Sequence, residues 1–123
     1  MMMNMTPLQP QTNLEEALKS HWEDKPQNYL PKGWENLVLN LHKKIVEIDP
    51  NYRLCQIKSK FGALRFYYDS EKSYLIDKLV SEAEEKSTMT CEKCGKPGSS
   101  EIVNNWMITI CEECYDKLNR STE

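Results

Sequence analysis

An α+β fold is predicted from three features: one strong helical period, an abrupt change to strand periodicity after it, and two cysteine pairs near the C-terminus. The expected architecture is a small helix/β-hairpin layer with a compact cysteine module at its C-terminal end. The chain then divides into a loose tail (1–12), a helix/hairpin/helix domain (13–89), the cysteine module packed on it (90–119) and a short tail (120–123). The 123 residues suffice for one compact domain. With 39% hydrophobic and 28% charged residues, the core should be thin and in need of a staple.

Each element has its own signal. The first dozen residues are polar, Met-rich and without a period, so they read as tail. A short helix capped by Thr12 or Asn13 should carry Leu14, Ala17 and Leu18 and stop before Pro26. Residues 25–33, with Pro26 and Pro31, read as an ordered loop. The clearest helix spans 34–48, where Trp34, Leu37, Val38, Leu41, Ile45 and Ile48 form one apolar stripe. Asp49-Pro50 ends it. His42, Lys43 and Lys44 lie off the stripe and are expected to face water.

Residues 52–58 and 63–68 are rich in β-branched and aromatic side chains, with Ser59-Lys60-Phe61-Gly62 between them. This is a hairpin whose turn uses Gly62 at positive φ. Leu64, Phe66 and Tyr68 share a core face, and Ala63, Arg65 and Tyr67 the other. Asp69-Ser70 should cap a second helix over 71–86, with Ile76, Leu79, Val80 and Ala83 inward. Within it Glu82, Glu84 and Glu85 read as a solvated charge run. A second hairpin is expected around Asn104-Asn105, and a helical turn over 111–118.

Cys91, Cys94, Cys111 and Cys114 form two C-x-x-C pairs with sixteen residues between them. That spacing is a zinc signature, and four thiolates fill a tetrahedral shell, leaving no open position for a catalytic water. One structural Zn²⁺ is expected in a zinc-ribbon-like module, with Gly95 left-handed so that backbone N–H groups point at sulfur. Trp106 is expected in the core of that module. Cys55 reads as a small buried strand residue, and His21 and His42 as surface or helix-flank residues without ligand spacing. No secretory segment opens the sequence and no apolar run is long enough to span a membrane, so a cytoplasmic protein with reduced thiols is expected.

Charge separates the function classes. The net is −3, and −5 with four thiolates and one Zn²⁺, which disfavours a generic DNA-coating protein. Residues 50–68 are the exception: Arg53, Lys58, Lys60 and Arg65 give +4 with no acid, interleaved with Tyr52, Phe61, Phe66, Tyr67 and Tyr68. Such a block is either a solvated cationic face over an aromatic core or a recognition surface for phosphate and nucleobase. In the second reading Lys58, Lys60, Gly62, Arg65 and Tyr67 bind the ligand, with Lys60 and Gly62 adding N–H donors in a nest. No histidine has a nucleophile beside it, no H-x-E accompanies the cysteines, and no phosphate-binding loop occurs, so an enzyme is not expected.

Gly33-Trp34, then Gln56-Ile57-Lys58-Ser59-Lys60-Phe61-Gly62-Ala63-Leu64-Arg65-Phe66-Tyr67-Tyr68, a helix and two knuckles follow one another. Over residues 33–115 this order resembles small phage- and prophage-encoded proteins with a K-F-G-x-L-R-F-Y block before paired knuckles. Those relatives often have Gly at the position of Ala63 and sometimes His at that of Cys114. The resemblance implies a non-enzymatic binding protein that blocks a host system, capturing an anionic nucleotide-type immune signal in the host cytoplasm. The alternatives are a nucleic-acid-binding ribbon, or an adaptor for a host protein acting through Trp34, Trp106 or the Met-rich tail, with a homo-oligomer possible in each case.

Overall fold

The computed structural model describes residues 14–22 and 30–121. The expected tail, the Thr12 or Asn13 cap and most of the 25–33 loop lie outside them. The first helix is short, α1 (Leu14–Leu18), and tightens into a 3₁₀ turn, Lys19–His21. A second 3₁₀ turn, Lys32–Trp34, leads into α2 (Glu35–Ile48). The apolar stripe of α2 is buried as its period requires, with Val38 and Ile45 fully enclosed behind Trp34. Asp49 then turns extended and its carboxylate accepts the Asn51 N–H and the Ser70 hydroxyl, tying the end of α2 to the far end of the hairpin.

β1 (Arg53–Lys60) and β2 (Ala63–Asp69) pair antiparallel around a two-residue turn. Phe61 (φ 55°) and Gly62 (φ 77°) both occupy the left-handed region, as the twist-matched hairpin turn demands. Gly62 tolerates this; Phe61 does not, and holds a conformation costing roughly 1–2 kcal/mol for an L-residue with a Cβ. The register slips between Leu54 and Gln56, leaving Cys55 as the extra residue of a bulge. Strict alternation would separate Leu54 from Ile57. The bulge puts both inside and turns Cys55 outward, which corrects its expected burial.

α3 (Ser73–Ser87) starts later than the 71–86 expectation. Ser70 orders the chain before it by accepting the Lys72 N–H, and Lys72, without a side-chain cap, flanks the helix. The helix lays Ile76, Val80 and Ala83 on the hairpin's inner face, against Leu64 and Phe66. It also covers the free edge of β2: Ser87 Oγ accepts the Leu64 N–H at 2.8 Å, and Glu84 Oε2 accepts that of Phe66 at 3.0 Å. Glu84 is therefore a strand cap and not part of a solvated run. An uncovered edge is a template for foreign strands.

The C-terminal part holds β3 (Ser99–Val103), β4 (Trp106–Ile110) and α4 (Glu112–Ser121), the last running past the expected end of the module. Asn104 and Asn105 form the hairpin turn, φ 54° and 65°, and Asn accepts that region through its short polar side chain. Ile110 and two cysteines make a small core, completed by Ile108, Tyr115 and Leu118.

The two parts are clasped through backbone. Gly33 N–H donates to Glu92 O at 2.8 Å and the Trp34 indole to Thr90 O at 2.9 Å. Glu92 N–H donates to Thr109 O, Thr109 N–H returns to Glu92 Oε2, and Thr109 Oγ1 reaches Gly62 O at 2.7 Å. A Cβ on Gly33 would stand 2.0 Å from Cys91 O and 2.7 Å from Gly95 N. Gly33→Ala should therefore cost at least about 2–3 kcal/mol in urea denaturation, because the obstruction is backbone and cannot rotate away. A stability equal to wild type would show that the clasp is dispensable.

Candidate metal centre and basic hairpin face

The first knuckle is built by a turn in which Gly95 N–H donates to Cys91 O and Gly95 sits at φ 85°, the left-handed position its spacing predicts. The second opens α4, so the chain direction there is set by a helix start. Together they bring the sulfurs of Cys91, Cys94, Cys111 and Cys114 within 4.8 Å of one another, and Cys94 Sγ lies 3.7 Å from Cys111 Sγ. A tetrahedron with metal–sulfur bonds of about 2.3 Å has sulfur–sulfur edges of roughly 3.8 Å, so the cluster can hold a metal ion. Backbone N–H groups of Lys93 and Cys114 point at Cys91 Sγ and Cys111 Sγ, each at 3.4 Å. Burial pushes the Cys91 thiol up, but backbone N–H groups from Cys111, Cys94 and Lys93 outweigh it and hold it down at about 7. That favours the thiolate a metal needs.

Buried beside this cluster is an acid that sequence reasoning missed. Glu92 is enclosed, its carboxyl pushed up by burial, with the Thr109 N–H, Lys93 and the Ser59 hydroxyl opposing. Glu92 pairs both backbone groups of Thr109, donating its N–H to the carbonyl and accepting the N–H at its carboxylate. Its position between a cysteine and a lysine gave no apolar or spacing signal.

The outer face of the first hairpin brings together most of the expected ligand set. Lys58 stands directly opposite Arg65, Gln56 opposite Tyr67, and Lys60 opposite Ala63. Lys58 Nζ lies 5.8 Å from the centre of the Tyr67 ring, and Lys60 Nζ 5.6 Å from that of Phe61. Tyr67 and Phe61 are 45% and 68% exposed, so the rings are presented to solvent. Arg53 is set apart at the other end, opposite Asp69. Gly62 is not on this face: it is buried, and its carbonyl accepts from Thr109, so it anchors the hairpin to the C-terminal module.

Two further expectations are corrected. Trp106 is 64% exposed because aliphatic and cysteine side chains already fill the small core. His42 is buried, its Nδ1 2.8 Å from the Tyr52 hydroxyl, while His21 Nδ1 donates to Tyr52 O at 3.0 Å and its ring stacks on Tyr52 at 4.6 Å. Residues 31 apart in sequence make this cluster, so no local spacing announced it.

No protein-family model, curated protein or solved structure matches the chain. Among the described residues no helix is long and apolar enough to cross a membrane.

Burial, and then the charge of His21, hold the His42 pKa below its ordinary 6.5. The unfolded chain therefore binds this proton more readily, and the folded state loses stability as pH falls through about 6.5. Between pH 7 and 5 the wild type should lose more stability than His42→Gln, whose amide can still meet the Tyr52 hydroxyl. Parallel melting curves for the two across that range would refute the assignment.

Proposed function

We propose that this chain is a zinc-stabilised, non-catalytic binding protein whose basic-aromatic hairpin face captures an anionic, nucleotide-type ligand. The observation that carries the reading is the Lys58/Arg65 pair. Like charges directly opposite across a hairpin destabilise it, and here they flank an exposed ring. An anion between them relieves the repulsion while Tyr67 stacks on a base. Phe61 adds a second local cost on the same hairpin, an exposed ring held at positive φ. Local rules broken at one place are what a binding surface leaves in a fold. The resemblance of the 56–68 block to phage-encoded proteins directs the ligand search towards nucleotide signals of a host defence system.

Zinc is the metal we assign to the cysteines, since four thiolates in a tetrahedron suit it and leave no open position. Its role here is structural: with Zn²⁺ bound, the knuckles fix the Glu92–Thr109 clasp against Gly33 and Gly62. Purified protein should contain one zinc per chain by elemental analysis. Chelation, or Cys91→Ser, should lower the melting temperature by roughly 10 °C or more, since metal binding contributes directly to folding. A metal-free protein with an unchanged melt would remove the structural role.

Thermal-shift screening against mononucleotides, cyclic nucleotides, NAD-derived nucleotides and short oligonucleotides tests the capture. A ligand at 100 times its Kd adds about 2.7 kcal/mol. Lys58→Ala/Arg65→Ala should weaken that ligand about tenfold or more, the loss expected for charge-assisted hydrogen bonds, without lowering the ligand-free stability. Phe61→Asn should raise stability by about 1 kcal/mol through relief at the turn, while weakening the ligand. A double variant that binds as well as wild type would end this reading. A salt-dependent response confined to oligonucleotides would favour a nucleic-acid ribbon instead.

A further inference from the structure

We infer that the groove between the Lys32–Trp34 turn and the C-terminal hairpin is a second binding site, taking a flat ring that carries phosphate, a nucleotide unit. It rests on residues other than those of the hairpin face. The groove encloses about 500 Å³ and is lined by Trp106, Lys32, Lys93, Val103, Ile108 and Leu118 among others. Its charge is set by the clasp. The Gly33 N–H to Glu92 O bond joins the residues next to Lys32 and Lys93, so two exposed lysines are held at the same groove by backbone. The acid in its lining, Glu92, is buried with its carboxylate on the Thr109 N–H and in the field of Lys93, so the groove sets two lysines against one enclosed acid and keeps a positive excess. Neither lysine makes an ion pair with another described residue.

Trp106 supplies the recognition surface. It opens β4 opposite Val103, on the side of the hairpin that also carries Ile108 and Ile110, yet 64% of it is exposed. An indole is the largest stacking platform a side chain offers, and stacking plus nearby cations fits a base and its phosphate. Asn104, also in the lining and at positive φ, offers an amide for a base edge. An acidic peptide would satisfy the lysines but leave the indole without a flat partner.

Fluorescence of the metal-loaded full chain isolates the site through the difference between wild type and Trp106→Phe, which removes the shared signal of the fully buried Trp34 and the half-buried Trp22. The probes are AMP, a short oligodeoxyadenylate series and an aspartate-rich peptide. AMP or the oligonucleotides should quench the Trp106 signal, and Lys32→Ala/Lys93→Ala should weaken that response about tenfold. Calorimetry should show Trp106→Ala losing about fivefold or more, the scale of one stacked base. AMP saturating as readily as the oligomers identifies a free nucleotide; affinity that grows with length and falls with salt identifies a single strand. Lys58→Ala/Arg65→Ala should leave the Trp106 response intact, so failure of the hairpin reading does not touch this one. Zinc content and melting temperature of each variant separate lost binding from lost fold, and Lys32→Glu repeats the charge test without changing a residue between the cysteines. No Trp106-specific quenching by either nucleotide probe at millimolar concentration, unaltered affinity in the well-folded lysine variants, or tighter binding of the peptide would each overturn the site.

Discussion

The contact between Gly33 and the first cysteine turn admits no side chain, and most of the molecule is arranged around that fact. A Cβ there would meet three backbone atoms within 2.7 Å. Its absence lets the 3₁₀ turn before α2 donate to Glu92, brings the Trp34 indole to Thr90, and passes the restraint through Thr109 to Gly62. Helix, hairpin and knuckle are thereby referred to one buried residue, Thr109. For a chain this short, such a junction replaces the area of apolar contact that a larger core would provide.

Glu92 illustrates the cost and the use of burying an acid. An isolated carboxylate would not tolerate that environment, but one whose oxygen receives a backbone N–H, with a hydroxyl and a lysine close by, is compensated. Because removal of one partner leaves the other buried and unpaired, the pair specifies a single way for the module to dock. The Ser87 and Glu84 bonds to the free edge of β2 follow the same logic. In each case a short polar side chain ends a backbone run that would otherwise seek a partner.

The surfaces that remain open share a chemistry. At the hairpin face, cations project beside exposed rings, and two placements are locally unfavourable: Phe61 at positive φ and Lys58 opposite Arg65. At the groove, two lysines and an exposed indole are positioned by the same clasp that joins the modules. The proposed groove site and the cysteine cluster are adjoining in the chain, since Glu92 and Lys93 lie between Cys91 and Cys94. The hairpin face is tied to them less directly, through Gly62.

The sequence determined whatever depends on near neighbours. Helical and strand periods placed α2, α3 and the first hairpin, Asn104-Asn105 announced the second turn, and the C-x-x-C spacing announced four converging sulfurs. Glycine chemistry identified the left-handed Gly62 and Gly95. What the tertiary structure decided involves partners far apart in the chain or a break in period. The bulge at Cys55 reversed the strand's faces, because one extra residue exchanges inside for outside. Tyr52 drew His21 and His42 inward across 31 and 10 residues. Gly62 became an anchor for the second module, and Trp106 moved from core to surface, because those places depended on which element packed beside them. Local pattern fixes which way a backbone runs, but the space left for a side chain is set only when distant segments close upon it.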